Sequence, residues 1–411
     1  MTQRLYRLWQ ALRESLWFVP GLFVLGAISL ALGLIFFDSY SDWQGKKRFP
    51  LLFGAGAEGS RGVLTAIAGS MLTVAGLTFT FTLTALTQAS SQYSPRVLRN
   101  FMRDGVNQVV MGYFVGAFTY CLLVLRTIRG GDEAGQFIPS ISVLVGLLLA
   151  LGGVVALIFF IHHIAESLQV GTLVHNISQE TSEAIDDLFP EPLGEPIADE
   201  VRQEAIDHWA DRADWRPITA PTSGYVQHVQ AQGILEWACQ HDAVVRLEHA
   251  IGEFVVAGTP LVRMQGKAIP NEAAEKRLVG YFSIGRHRTI GQDVGFGIQQ
   301  LVDIALKALS PGINDTTTAL MAVDYLSVIL SRLANRRFPP TERTGGGHLR
   351  VLVRAPDFAI YVRLAFDLVR INAEGNHAVL RRLLRALADV AQTATPNRRA
   401  VLREQAELIR Q

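Results

Sequence analysis

The chain has 411 residues, of which 49% are hydrophobic, with a mean hydropathy of +0.23 and a formal net charge of +1. A charge balance this near neutral supplies no global field for nucleic acid, and the apolar excess, concentrated before residue 165, argues against a wholly soluble protein. The two cysteines, Cys121 and Cys239, fall in unlike surroundings, which excludes a disulfide framework and leaves packing as their role.

In chain order, Met1 to Glu14 is basic (Arg4, Arg7, Arg13), with Leu5, Leu8, Trp9 and Leu12 along one side. Leu16 to Phe37 carries no charge. It is longer than a signal-peptide core and lacks a small-x-small cleavage site, so it reads as an uncleaved anchor. Further spans are predicted at Val63 to Gln88, Val109 to Leu125 and Ile138 to Ile161. The basic segments, Arg4 to Arg13 and Arg96, Arg99 and Arg103, alternate with connections of mixed sign. Four spans with both termini in the cytoplasm satisfy the positive-inside rule.

The second span is the unusual one. Thr73, Gly76, Thr80, Thr84, Thr87 and Ser91 recur at steps of three or four and share one helix face. Hydrocarbon offers hydroxyls no partner, so such a face belongs in a bundle or a wet cavity. Two readings stand: close helix packing with each hydroxyl bonded to its own preceding turn, or the lining of a permeation path.

Beyond it, Ser94-Pro95 reads as an N-cap and first helical position. The amphipathic segment that follows places Arg96, Arg99 and Arg103 among lipid phosphates, or else in an intersubunit clamp or anion vestibule. The fourth span ends in His162, His163 and Glu166, where i,i+4 and i,i+3 spacings allow contact. This set reads as a polar ring at the membrane exit, with a metal or proton site as its alternative.

Val170, Val174, Ile177, Thr181, Ala184 and Leu188 form a short a/d seam, predicted as a stalk helix that packs against another surface, with its symmetry copies as the candidate partner. A Pro-rich stretch, Pro190 to Pro196, ends it. Residues 215–290 change to strand patterning, with strands expected at Gly224 to Val229, Ala243 to Leu247, either side of Gly258, and at Leu278 to Ile284. The pair SGYV and GEFVVAGTPLV resembles the small β-barrel or hammerhead of biotinyl and lipoyl modules. No lysine stands at the hairpin tip to carry a prosthetic group, so a structural role is expected and no cofactor.

The final region, 291–411, is predicted helical. Ser310-Pro311-Gly312 breaks the Gln292 to Ala334 stretch, and Asp315 is a natural N-cap for the second piece. Asp303, Asn314 and Asp315, with Asp324, are candidate cation or ligand residues, with capping and surface positions as the plainer explanation. A strand at Leu349 to Val353 and helices at Phe358 to Arg370, His377 to Ala391 and Arg398 to Ile409 complete the chain.

Four runs, AIAGSMLTVAGLTFTFTLTALTQASSQYSPRVLRNFMRD, FIHHIAESLQV, GEFVVAGTPL and IGRHRTIGQDVGFGIQQLVDIALKALSPGIND, together resemble the bacterial membrane-protein family known as domain of unknown function 2254. Thr316 stands after Asn314-Asp315 where that pattern leads one to expect proline. The resemblance implies an integral membrane protein with a cytoplasmic C-terminal region, and no catalytic residue or substrate. The fold expected is therefore mainly α: a four-helix membrane region (1–165), a stalk and linker (166–214), a small β module (215–290) and a helical cytoplasmic domain (291–411).

Three functions are open. A homo-oligomeric channel or passive transporter is favoured by the hydroxyl face. A membrane-anchored sensor or scaffold is its rival. An enzyme is disfavoured, since no nucleophile elbow, Walker lysine, HExxH or paired CxxC is present. The partners expected are lipids and further copies of the chain, with no nucleic acid and no identified ion or ligand.

Overall fold

The computed structural model describes residues 17–40, 56–92, 105–130, 137–189, 215–266, 271–338 and 341–411. The chain divides into two compact units, Met1–Gln169 and Val170–Gln411.

The first unit is helical: α1 (Phe18–Tyr40), α2 (Ala57–Gln92), α3 (Gly105–Thr127) and α4 (Ser140–Ser167). The third helix is the hub, packing against each of the other three. Half of its most apolar window is buried, against 11% for α1. The reason is written in its small residues. A Cβ on Gly112 would lie 2.8 Å from the Phe23 ring and 3.1 Å from the Pro20 backbone, and one on Gly116 would lie 3.2 Å from the Phe23 carbonyl oxygen. This Gly-xxx-Gly pair lets α1 approach backbone to backbone, the packing on which helix association in lipid depends.

Several polar groups of the unit are satisfied across helices, as hydrocarbon favours. The Tyr113 and Tyr120 hydroxyls donate to the Leu149 and Ser142 carbonyls of α4 at 2.7 and 2.8 Å. Asp38, near the end of α1, accepts from the Ile141 and Ser142 amides (3.3 and 3.0 Å) and from the Ser142 hydroxyl (2.7 Å). It thereby caps the N-terminus of α4, which begins after Pro139 and has no side-chain cap of its own. At the opposite sense of dipole, the Arg61 guanidinium donates to the Ile128 carbonyl just past the end of α3, at 2.7 Å.

The second unit opens with α5 (Val170–Leu188). Its predicted seam is buried at Val174, Ile177, Thr181 and Ala184, and the helix packs against α8 (Val294–Leu309) and α9 (Thr316–Ala334) of the same unit. The seam therefore finds packing partners within the chain. Thr181, the polar break in the seam, has a structural reason: a Cβ on Gly297 would come within 1.9 Å of its hydroxyl, so α5 and α8 meet at this Thr–Gly point.

Next come β1 (Arg216–Thr219), β2 (Gly224–Val229), α6 (Ala231–Gln240), β3 (Ala243–Leu247), β4 (Phe254–Val255), β5 (Pro260–Gly266), α7 (Glu272–Gly280) and β6 (Phe282–Gly285). These do not close into a barrel. They form a three-stranded sheet, β4-β2-β6, and a five-stranded sheet, β1-β5-β3-β8-β7. The latter takes in a hairpin from much later in the chain, β7 (Glu342–Gly345) and β8 (His348–Leu352), with β8 parallel to β3. Both sheets contribute to one core around the fully buried Trp237. The strand expected over Leu278 to Ile284 begins only at Phe282, because Asn271 accepts from the Ala274 amide at 2.9 Å and starts a helix that runs to Gly280.

Helices α10 (Phe358–Asn372), α11 (His377–Thr393) and α12 (Pro396–Arg410) lie where the tail periodicity places them. α10 and α11 pack with α8 and α9, whose inner faces are closed by Leu301, Ile304, Leu326, Ile329 and Leu330, and α12 packs on α10 and α11.

Among the described residues, five helices are long and apolar enough to cross a membrane, α1 to α4 and α9. That is one more than the sequence reading of four, and the fifth belongs to the second unit.

Candidate functional site

The packed face of α2 carries Leu64, Ile67, Ala68, Met71, Ala75, Thr78, Ala85 and Ala89. The hydroxyl stripe is on the other side: Thr73, Gly76, Thr80, Thr84, Thr87 and Ser91 are all exposed. Each hydroxyl donates into its own helix. Thr73 bonds the Gly69 carbonyl, Thr80 that of Gly76 and Thr84 that of Thr80, each at 2.9 Å. Thr87 bonds Thr84 at 2.8 Å and Ser91 bonds Gln88 at 2.9 Å. Each hydroxyl proton is thus occupied and the oxygen lone pairs face outward, which makes the stripe a row of acceptors.

Three glycines extend the same face at heptad intervals, Gly62, Gly69 and Gly76, and a Cβ on any of them would meet nothing within 4 Å. The contrast with the interior of the unit is direct. Gly146, like Gly112, has a side chain pressed on it, the Leu64 methyl lying 2.9 Å from where its Cβ would be.

The remaining candidates do not assemble into one site. His162 faces Glu166 at 3.9 Å, with both side chains largely exposed. His163 turns elsewhere, stacking on Phe159 and meeting the Ser167 hydroxyl at 3.4 Å. In the second unit Asp303 accepts from Gln299 at 2.9 Å. Asp315 accepts from the Thr318 amide at 3.1 Å and its hydroxyl at 2.5 Å, which holds the carboxyl below its ordinary range. Asn314 supplies the left-handed turn before it, at φ 49°. Asp324 is paired with Arg382. Among the described residues no group of three His, Cys, Asp or Glu side chains is placed to hold a metal. Arg96, Arg99 and Arg103, like the cap at Ser94, lie outside the described residues.

One cluster escaped sequence reasoning. The Asp293 carboxylate, 6% exposed, receives two guanidinium bonds from Arg288 at 2.7 and 2.9 Å and caps α8 through the Phe296 amide at 2.9 Å. The turn at Gly252 approaches so closely that a Cβ there would fall 2.2 Å from the carboxylate, and its φ of 86° also favours glycine. Tyr361 lies beside the pair, its hydroxyl pKa raised first by burial and then by Asp293. An Asp two residues after a Thr-Ile-Gly turn and before an apolar helix was a readable cap signal. The arginine five residues earlier was not a readable partner.

Two relatives place the chain. An uncharacterized protein of Mycobacterium tuberculosis (strain CDC 1551 / Oshkosh) and one of Mycobacterium bovis (strain ATCC BAA-935 / AF2122/97) are each 35% identical to it over 365 residues, covering 87% of this chain and 69% of theirs. No solved structure matches it. With its apolar helices and a family model that matches residues 13–389, the chain belongs to the predicted membrane protein family DUF2254 and is a multi-pass membrane protein.

Proposed function

We propose that this protein is a homo-oligomeric, passive channel or transport protein of the bacterial inner membrane, with α1 to α4 as its spans and both termini in the cytoplasm. The observation that carries the reading is the outward α2 face. It is free of charge from Gly62 to Gln92, lined with acceptor oxygens, and smoothed by glycines that no described residue covers. Small residues at heptad spacing let like helices approach closely, and several α2 helices turned toward a common axis give a wet path. The fifth apolar helix, α9, is assigned to the second unit's own core, where Ala319, Val323, Leu326, Leu330 and Leu333 are fully buried.

Because the hydroxyl protons are held within the helix, the path presents lone pairs and favours water, neutral donors or monovalent cations over anions. No Asp, Glu, Lys or Arg stands on α2 within it, which suits passive flow better than ion-coupled pumping.

The test is current through purified full-length protein in planar bilayers. Wild type conducts and selects cations, and Thr80→Val with Thr84→Val lowers conductance or shifts the reversal potential. Silence across salts, pH and voltage, or currents indifferent to both changes, rejects the reading.

A second reading has its own observation. On α10, Ile360, Leu368 and Ile371 are exposed on one face, with Leu364 between them, a stripe suited to a partner of a membrane-anchored scaffold or sensor. In that case, the α2 substitutions leave function intact, and removing the α10 stripe abolishes it.

A further inference from the structure

The groove between α1 and α3 has an apolar wall and a cationic rim. It occupies about 580 Å³ and is lined by Leu32, Ile35 and Leu123 on the apolar side and by Arg126 and Arg129 on the charged side, beside Ser39 and Thr127. That volume falls within the roughly 300–1,000 Å³ of ligand sites. It lies at the C-terminal ends of both helices. Among the described residues, no carboxylate pairs with either arginine.

The neighbouring hydroxyls are already engaged. Ser39 donates to the Phe36 carbonyl and Thr127 to that of Val124, each at 2.7 Å. The groove's free donors are therefore the two guanidinium groups, a match for a group that only accepts.

The backbone beneath the arginines is held in place. Arg129 and Phe137 exchange two main-chain hydrogen bonds, at 3.1 and 3.2 Å, and Arg61 fixes the carbonyl of Ile128 between the arginines. Long basic side chains at a helix end reach the headgroup layer while their stems stay apolar. A rim whose side-chain donors are two guanidinium groups, set above an apolar wall, is complementary to a phosphate diester above an acyl chain.

We infer that this groove binds an anionic glycerophospholipid, its phosphate between Arg126 and Arg129 and one acyl chain along Leu32, Ile35 and Leu123. On the proposed topology the lipid comes from the outer leaflet. The site rests on membrane embedding and not on the channel reading, so bilayer currents and lipid binding fail independently.

The experiment uses full-length protein in detergent, with Arg96, Arg99 and Arg103 replaced by glutamine so that the other basic segment does not contribute. Phosphatidylglycerol with a photoreactive acyl chain is added, and the cross-linked peptides are mapped by mass spectrometry. Cross-links are expected in the peptides holding Leu32, Ile35 or Leu123. They should be undiminished by excess glycerol phosphate or phosphatidylcholine, and reduced roughly tenfold by Arg126→Gln with Arg129→Gln. Competition by glycerol phosphate alone would reduce the site to a free-phosphate site. Equal labelling by a photoreactive phosphatidylcholine, or labelling that survives the double substitution, would overturn the proposal. A substitution pair that fails to fold is replaced by Arg126→Lys with Arg129→Lys, which keeps the charge and should retain labelling.

Discussion

At the scale of single residues, the same residue type does opposite work according to what faces it. Gly112 and Gly116 hold open the space that Phe23 and Pro20 occupy, so Gly112→Leu with Gly116→Leu forces α1 away from α3. Overpacking of this kind costs about 1–3 kcal/mol at each site. A lower midpoint of thermal unfolding in detergent is the expected outcome, and an unchanged midpoint would show that the two helices do not meet there. Asp315 offers a second test, in the other unit. Its cap on α9 is worth about 1 kcal/mol by analogy with other N-caps, so Asp315→Ala should lower stability by that order at neutral pH.

The pH dependence of that cap follows from the direction of its shift. The folded carboxyl titrates below its unfolded value of 3.8, because the Thr318 hydroxyl and amide bond the charged form. Its contribution is therefore complete above that pH and is lost as pH falls through the lower, folded value. The difference between wild type and Asp315→Ala should be full at pH 6 and close in strong acid. A gap that persists there would mean the carboxylate is not what stabilises the turn.

At the scale of elements, α2 and α3 divide the labour of the first unit. The third helix is buried by its neighbours and carries the tyrosine bonds that tie α4 in place. The second gives one face to that core and leaves the other bare. Back-bonded threonines cost little in hydrocarbon, since each proton already has a partner. The stripe is thus compatible with lipid in an isolated protomer, and the glycines argue for something closer. A helix covered only by acyl chains gains nothing from Gly62, Gly69 and Gly76, each of which weakens a helix by about 1 kcal/mol relative to alanine. A second helix packed on that face does gain from them.

At the scale of the whole molecule, that argument becomes a statement about copies of the chain. In a Cys239→Ser background, where the remaining Cys121 is buried, Gly69→Cys and Gly76→Cys should form disulfide-linked dimers in native membranes under mild oxidation. Leu148→Cys on the exposed face of α4 should not. Equal cross-linking at all three positions would indicate random collision and remove the shared axis on which the transport reading depends.

The sequence alone determined the elements governed by local rules. Uncharged runs of span length, the 3.6-residue recurrence of the α2 hydroxyls, the Asp315 cap and the break at Ser310-Pro311-Gly312 are each set by near neighbours. Periodicity, capping and helix breaking act within a turn or two of chain, so these features were legible. What only the tertiary structure decided is which surface each face meets. The α5 seam turned out to pack on α8 and α9, β8 joined β3 from more than a hundred residues away, and Arg288 found Asp293 under Gly252. The hydroxyl stripe turned outward because α2 had a second face, Leu64 to Ala89, better shaped to fill the core around α3. Such choices rest on competition for burial among distant segments, which no local pattern encodes.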